Sequence, residues 1–350
     1  MNMQFNPNEI VQLFVSVQSL LFAAILLTDK NKKRRVNYFL AAFLLMLSLQ
    51  MALILSERWI DDYAPFTSYL CLFGFAYGPL LYFYTLHLAF KDFKLKRGHL
   101  LHALPFFVIL SGGLADLGLC RFGSLLYVSL IAYVSLSVRH ILSYRLLVKN
   151  THSTIDRINL SWLQWTMIIF TVILLTDIYT HFYNELEPIP GVSVVSVSLL
   201  ILINGMFYKG LKQPQIFEGI SQQGAPEAIA KSEAEDHDFH SEAERIQDYF
   251  QEHKPYTDAD LTLAQLAEAL SMPARRLSEV INRHFRQNFM DFINSYRIDY
   301  ARELLANPRD PKETIMEVMY DVGFNSKSSF NTIFKQKTGK TPSEYKWSFK

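Results

Sequence analysis

The sequence predicts an all-α fold, in which a seven-helix transmembrane bundle is followed by a smaller cytoplasmic helical domain. Three observations lead to this class. Seven apolar runs in residues 1–210 are long enough to cross a hydrocarbon core of about 30 Å, which needs about 20 helical residues. Lys and Arg residues collect on alternate sides of these runs. In residues 241–350 the apolar residues recur at helical rather than strand spacing.

The apolar runs predict a polytopic membrane domain over residues 1–210, with a sensor as its candidate role. The first run is preceded by no basic residue and followed by no small-residue cleavage site, so we expect it to remain as an anchor. The fourth and the seventh runs are shorter than most of the others. The runs lie near residues 10–28, 36–55, 66–90, 100–118, 123–146, 160–183 and 192–208.

The segments between the runs predict the orientation. Fifteen Lys and Arg residues lie on one side, within 30–35, 91–97, 139–157 and 209–212. Only Arg58 and Arg121 lie on the other side. Because cytoplasmic loops carry an excess of Lys and Arg, we predict that the N-terminus is outside and that residues 209–350 are in the cytoplasm.

An acidic linker is predicted between the two parts. Residues 215–240 contain one Lys against six Asp and Glu, together with Gly, Pro and Gln, and show little periodic apolar content. This composition is typical of a flexible, partly disordered segment. We therefore predict a flexible linker over residues 211–240 and a separate domain over residues 241–350.

Helical periodicity in the last part predicts two helix-turn-helix units joined by one helix. In the first unit, "TLAQLAEALSM" and "ARRLSEVINRHF" are separated by a tight break at Pro273. The joining helix is "FMDFINSYRIDYARELLANP". In the second unit "TIMEVMYDVGF" ends at Gly323, which can adopt positive φ, and Ser326 or Asn325 can cap the helix that follows. The predicted inner faces comprise Leu263, Leu266, Ala267, Leu270, Leu277, Val280, Ile281, Phe285, Phe289, Phe292, Ile293, Tyr296, Ala301, Leu304, Leu305, Ile315, Val318, Met319, Val322, Phe330, Ile333 and Phe334.

One ordered motif runs through these helices, with "LTLAQLA", Leu277-Ser278, Asn288-Phe289, "YRIDYARELL" and "GFNSKSSFNTIFKQKTGKTPSEYK" in sequence. With this spacing, residues 250–346 resemble the C-terminal DNA-binding domain of the AraC/XylS family of bacterial transcription regulators. Two positions depart from the family pattern, Arg286 where a Gly is usual and Glu279 where many relatives have Arg. The resemblance implies a bacterial, sequence-specific regulator that binds double-stranded operator DNA. Together with the apolar runs, it predicts a multi-pass protein of the bacterial inner (cell) membrane.

Basic residues collect on the two candidate recognition helices. Residues 326–340 contain four lysines and no acid, and residues 273–286 contain four arginines against Glu279 alone. Such positive charge binds phosphate, and small polar side chains beside it can reach base edges. The resemblance implies base contacts from Lys327, Ser328, Asn331 and Thr332, and in the first unit from Arg275, Ser278 and Glu279. The charge pattern adds Arg276, Arg283 and Lys335 to the predicted DNA-binding set.

Ionisable groups and cysteines mark candidate sites in the apolar part. Asp177 and His181 lie four apart on one face of the sixth run, near its outer end, and ionisable residues inside a span are costly. They are candidates for a ligand pocket or a protonation switch, and the alternative is an interfacial pair that wets its polar ends. Cys71 and Cys120 are predicted near the outer, oxidising side, where a disulfide can form. Two separate cysteines at helix ends are the alternative.

The function predicted from these features is a membrane-anchored transcription regulator. It couples a small-molecule or membrane signal to promoter binding, with the lipid bilayer as a further partner. Contact with RNA polymerase and a homodimer stay open. The sequence shows no metal-ligand cluster, nucleophile motif or phosphate loop, so we predict no cofactor, no metal and no catalytic site. The alternative function is a membrane receptor or transporter whose C-terminal domain binds a protein partner.

Overall fold

A computed structural model of the chain describes residues 5–28, 34–56, 70–90, 93–114, 124–154, 160–183, 193–212, 239–310 and 312–349. Within these ranges the fold is all-helical, with fourteen α-helices and no strand. The chain divides into two units. The first unit comprises Met1–Ser143 and Leu160–Ile220, and the second comprises Tyr144–Asn159 and Ser221–Lys350.

The first unit has an apolar helix at each of the seven predicted places. Helix α1 packs along α2, α2 packs along α3, and α7 contacts both α1 and α6. A short 3-10 helix, Arg97–Ala103, precedes α4, and α5 continues into the second unit. The helices are α1 (Pro7–Thr28), α2 (Arg34–Ser56), α3 (Leu70–Ala89), α4 (Leu104–Leu114), α5 (Ser124–Thr151), α6 (Ser161–Tyr183) and α7 (Val194–Lys212).

The predicted count of seven membrane spans is not confirmed. Among the described residues, four helical segments are long and apolar enough to cross a membrane: Pro7–Thr28, Asn37–Ser56, Leu125–Thr151 and Ser161–Tyr179. The described part of α4, Leu104–Leu114, has 11 residues, fewer than the about 20 that a crossing needs. The apolar part of α7 is limited to Val194–Tyr208. Helix α3 has 20 residues, among them three tyrosines, His87 and Pro79, and is not among these four segments.

The second unit contains the two predicted helix-turn-helix pairs. Helices α9 and α10 form the first pair, α12 and α13 form the second, and α11 joins them. A further helix, α8, precedes the first pair, with a 3-10 turn at Pro255–Thr257 between them. The helices are α8 (Phe239–His253), α9 (Leu263–Ala269), α10 (Ala274–Arg283), α11 (Phe289–Ala306), α12 (Ile315–Asp321), α13 (Lys327–Thr338) and α14 (Pro342–Trp347).

Side-chain caps define the beginnings of the short helices. Thr262 and Thr314 each accept a hydrogen bond from the backbone N–H three residues on, and Gln265 and Glu317 bond back to complete the capping box. The hydrogen bonds from Thr314 to the Glu317 carboxylate also lower the pKa of Glu317. Helices this short depend on such caps and on tertiary packing.

Helix α11 connects the two halves of the domain, because its residues belong to two separate hydrophobic cores. Phe289, Phe292 and Ile293 pack with α8, α9 and α10 in the first core. Ile298 and the residues after it pack with α12 and α13 in the second. All of the predicted inner-face residues belong to these two cores or pack against them. One helix therefore holds both helix-turn-helix units at a fixed separation.

Gly323 joins the two halves of the domain at the end of α12. Its φ is +91°, as the sequence predicts for this helix end. A Cβ at this position would lie 2.6 Å from the carbonyl oxygen of Tyr256 and 2.8 Å from that of Thr257. Glycine is therefore required here both by the backbone conformation and by the close approach of the Tyr256–Thr257 turn.

Candidate functional site

Helix α13 presents most of the predicted polar set on one outward face. It begins at Ser326, whose hydroxyl accepts from the N–H of Ser329, and it ends at Gly339 with φ +77°. Phe330 and Phe334, both fully buried, fix its inner face. Lys327, Ser328, Thr332 and Lys335 are exposed and Asn331 is half-buried. The spacing of these five residues puts them on adjacent ridges of the helix.

This outward face is electropositive. Within the described part of the chain, neither Lys327 nor Lys335 makes an ion pair with a carboxylate. The nearby Glu344 is held in a capping box by hydrogen bonds from Thr341, which lower its pKa, and Lys335 and Lys340 add to this effect. Lys327 and Lys335 are therefore available to an external anion such as a phosphate.

A hydrogen bond ties α13 to the joining helix. The ammonium of Lys337 donates to the hydroxyl of Ser295 on α11, at 2.7 Å. Together with the buried phenylalanines, this bond limits rotation of α13 about its own axis. The helix therefore offers a defined set of side chains to a ligand.

The first helix-turn-helix pair exposes fewer of the residues that were predicted to contact DNA. Arg275 and Arg283 are exposed, and Arg275 donates to Glu279 at 3.2 Å. Ser278 is only 5% exposed and accepts a hydrogen bond from Asn282. The resemblance implied a base contact from Ser278, but in this geometry the Ser278 side chain is not exposed to a DNA groove. It faces inward because it shares the α10 face of Leu277 and Ile281.

Arg276 has a structural partner that the sequence analysis missed. Its Nε lies 2.7 and 3.0 Å from the two carboxylate oxygens of Glu242 on α8, and its guanidinium stacks over the Phe239 ring at 4.2 Å. Arg276 therefore fastens α8 to α10, which weakens its predicted role as a DNA contact. The signal for α8 was present, since Phe239, Ala243, Ile246 and Phe250 recur at helical spacing.

Arg286 occupies a left-handed backbone position with φ +53°. The AraC/XylS pattern usually has glycine here, and a left-handed conformation is costly for a residue with a Cβ. We expect Arg286→Gly to raise the unfolding free energy of the fragment 239–350 by about 0.5–1 kcal/mol, after allowing for the greater freedom of glycine in the unfolded chain. Urea unfolding measures this change. Arg283→Gly in the last turn of α10 is the control, and it should lower stability; a loss at both positions contradicts the argument.

Arg297 on α11 is a further residue of interest that the sequence analysis placed in the motif but assigned no role. It is fully buried. Its Nε donates to the carbonyl of Tyr256 and its Nη2 to that of Asp258, each at 2.7 Å. Its guanidinium also lies 5.6 Å from the centre of the ring of Phe324, which is in the turn between α12 and α13. Burial lowers its pKa to about 10, against the opposing effect of Asp258 and Asp260.

The first unit contains a cavity of about 710 Å³ that includes the predicted Asp177. Its walls are mainly apolar, and its polar lining residues are Gln12, Gln50, Tyr77, Tyr127, Asp177 and Ser193 among others. The hydroxyl of Tyr127 donates to the Asp177 carboxylate at 3.1 Å, and the hydroxyl of Tyr77 donates to Gln50. This volume and this mixture of surfaces are typical of small-molecule sites.

Other candidate residues of the first unit fall outside what the structure describes. The side chains of His181 and Cys71 and the whole of Cys120 are among them. The Asp177–His181 pair and the Cys71–Cys120 disulfide therefore stay predictions. Among the described residues, no group of three or more His, Cys, Asp or Glu could hold a metal ion.

A family of known proteins matches residues within the second unit. Residues 266–347 match the family described as "Helix-turn-helix domain". An uncharacterized HTH-type transcriptional regulator of Staphylococcus aureus (strain MSSA476) is 32% identical over 87 residues, which are 25% of this chain and 11% of the relative. The arabinose operon regulatory protein of Escherichia coli (strain K12) is 28% identical over 89 residues, 25% of this chain and 30% of the relative.

A solved structure is also similar to part of the chain. It is the C-terminal domain of AraT, a response regulator from Geobacillus stearothermophilus, with 30% identity and a TM-score of 0.27. The match covers 30% of this chain and 83% of that one. The chain thus spans about a tenth of the length of the first curated relative, and the family match at residues 266–347 lies in the C-terminal domain.

Proposed function

We propose that this chain, whose residues 266–347 form a helix-turn-helix domain of the AraC/XylS type, is a membrane-anchored, DNA-binding regulator of transcription. The outward face of α13 carries this proposal, because it combines lysines free of carboxylate partners in the described residues with small polar side chains on a rigid helix. Two relatives reported above are described as an HTH-type transcriptional regulator and an operon regulatory protein. The alternative of a receptor or transporter with a protein-binding tail leaves this electropositive face unexplained.

The geometry suggests how bases are read. Asn331 can bond to both N6 and N7 of an adenine, Lys327 to O6 and N7 of a guanine, and Ser328 or Thr332 to either kind of base edge. Lys335 is placed for a phosphate. In the first unit Arg275 and Arg283 supply exposed positive charge to the backbone. Because α11 fixes the two units, their recognition helices are suited to successive major grooves about one turn apart.

Two variants of α13 test the proposal. We expect Asn331→Ala in the fragment 239–350 to cost about 1–3 kcal/mol of binding to a selected operator, and to relax preference at one base position. Lys327→Ala should weaken binding and reduce the slope of log K against log salt by about 1. Fluorescence anisotropy at several salt concentrations measures both. Arg245→Ala on the exposed face of α8 is the charge-matched control; no sequence preference at low salt, or equal effects in all three variants, contradicts the proposal.

Membrane anchoring is part of the same proposal. It is supported by the four long apolar helices and by the predicted separation of fifteen basic residues from two. We keep the predicted orientation, with the N-terminus outside and the DNA-binding domain in the cytoplasm of a bacterium. This orientation needs an odd number of crossings, so at least one further helix must cross, and α3 with 20 residues is the longest of the remaining three.

We further propose that the cavity around Asp177 receives the signal. A carboxylate among apolar walls suits a small amphipathic molecule that carries a cationic or hydrogen-bond-donating group. We expect Asp177→Asn to reduce signal-dependent reporter output by about tenfold, through the loss of one charge-assisted contact. Thr176→Val on the neighbouring position is the control. If Asp177→Asn and the wild type give the same reporter output at every pH and with every added cationic amphiphile, the cavity is not the site that receives the signal.

A further inference from the structure

The segment that follows α5 contacts the DNA-binding domain inside the second unit. Helix α5 ends at Thr151, and residues 152–154 then run beside residues 259–262, which lead into α9. His152 and Thr262 form an antiparallel bridge, and the N–H of Ser153 donates to the carbonyl of Leu261 at 3.1 Å. A short strand-like pairing therefore joins two segments more than a hundred residues apart in the chain.

Side chains reinforce this backbone pairing. The hydroxyls of Ser153 and Thr154 both donate to the carbonyl of Ala259, at 3.4 and 3.3 Å. Ser153 is only 1% exposed. A small polar residue buried this fully, with its backbone and its hydroxyl both bonded, is a fitted contact and not a loop resting on a surface.

Ser153 also completes the hydrogen bonding of the buried Arg297. The Nη1 of Arg297 donates to the Ser153 carbonyl at 3.4 Å, and its Nη2 donates to the Ser153 hydroxyl at 3.2 Å. The other two bonds of this guanidinium go to Tyr256 and Asp258 within the domain. Leaving a buried cation partly unsatisfied is costly, so Arg297 favours the bound segment.

We propose that residues 152–154 are a docking segment that binds the Arg297 side of the DNA-binding domain and holds it back from DNA until a signal moves α5. The regulatory half of this statement rests on the proposed function. The occupant of this surface is the chain's own segment, and its chemistry is that of a short extended peptide with a serine at the Arg297 position.

The position of the contact makes it suited to regulation. Arg297 contacts the turn before α9 and the Phe324 ring of the second helix-turn-helix pair. The docking segment therefore binds where the two helix-turn-helix pairs of the DNA-binding domain meet. The segment begins one residue after the end of α5, whose Leu125–Thr151 part is long and apolar enough to cross a membrane. A domain bound this close to the end of a membrane helix is held near anionic lipid, which repels DNA. Docking and operator binding then compete. The apparent affinity for DNA is the affinity of the undocked domain multiplied by the fraction of molecules that are undocked.

Cross-linking of the full chain in membrane vesicles tests the docked state without any DNA. The Cys71→Ala, Cys120→Ala background would carry His152→Cys with Thr262→Cys, and a protease site within residues 213–238. A short bis-methanethiosulfonate reagent should then keep the two halves together after cleavage. The control pair is His152→Cys with Gln336→Cys, which places the second thiol on the exposed side of α13. Equal cross-linking of the two pairs overturns the proposal.

Matched variants test the regulatory step. Ser153→Ala combined with Thr154→Val removes the side-chain bonds to Ala259 and one bond to Arg297, and it leaves the backbone intact. We expect about tenfold less docked state, seen as reduced cross-linking, and operator binding by the full chain that approaches the affinity of the free fragment 239–350. Ser143→Ala is the control, because in the described residues the Ser143 hydroxyl donates to the Arg139 carbonyl within α5.

The outcomes separate the two claims. Loss of cross-linking with tighter operator binding supports the proposal, whereas loss of cross-linking with unchanged operator affinity overturns its regulatory half. If the free fragment binds no DNA at all, the proposed function fails, and the cross-linking result still decides whether the docking segment exists.

Discussion

Replacing Arg297 by methionine is expected to lower the unfolding free energy of the fragment 239–350 by about 2–4 kcal/mol. The two hydrogen bonds to the carbonyls of Tyr256 and Asp258 are buried and charge-assisted, and each is worth about 1.5–3 kcal/mol. Relief of the buried charge offsets part of this loss, since burial already lowers the pKa of Arg297 to about 10. Urea unfolding monitored by circular dichroism gives the value.

Arg297→Lys separates charge from geometry. A lysine keeps the positive charge but donates from a single atom, so it cannot reach two carbonyls as the guanidinium does. We expect it to be nearly as destabilising as Arg297→Met. Full stability in the lysine variant would mean that charge alone holds the Tyr256–Asp258 turn, contrary to the hydrogen-bond geometry.

Phe330→Ala is expected to lower the unfolding free energy by about 3–5 kcal/mol. The Phe330 ring is fully buried and lies between Phe324 at 5.2 Å and Phe334 at 5.6 Å. Its loss leaves a cavity beneath α13, the helix that presents the predicted base contacts. Operator binding should therefore fall together with stability.

Tyr320→Ala is the matched control for this core substitution. Tyr320 is 57% exposed at the end of α12, so the loss of its ring should change stability by less than about 0.5 kcal/mol. Equal effects at Tyr320 and Phe330 would show that the second core does not pack as described. The same unfolding experiment measures both variants.

The helical periodicity of residues 241–350 was sufficient to predict which residues of α9 to α13 form the inner faces of the two helix-turn-helix pairs and of the helix that joins them, but it did not predict the contribution of α8 to the core. Each predicted inner-face residue packs in one of the two cores, and Ser326 and Gly323 have the predicted capping and φ. These features depend on local spacing and local backbone chemistry, which a sequence records directly. The departure at Arg286 also proved informative, because the residue adopts the left-handed conformation that a glycine would favour.

Features that depend on distant parts of the chain were not foreseen. The bond of Arg276 to Glu242 on α8 and the burial of Ser278 were not foreseen, and the DNA contacts predicted for these two residues stay predictions. The run at 100–118 read as a continuous span, but it contains a 3-10 segment and an 11-residue helix. The pairing of Ser153 with Leu261 joins residues that no local periodicity connects.

The central claim is that the C-terminal domain of this chain reads operator DNA through α13. Genome-wide mapping of promoters bound by the full-length protein in its own cells tests it most directly. We predict discrete promoter peaks that share a sequence, disappear in the Lys327→Ala, Asn331→Ala double variant and persist in Arg245→Ala. Peaks that are absent from the wild type, or unchanged in the double variant at equal protein level, would contradict the claim.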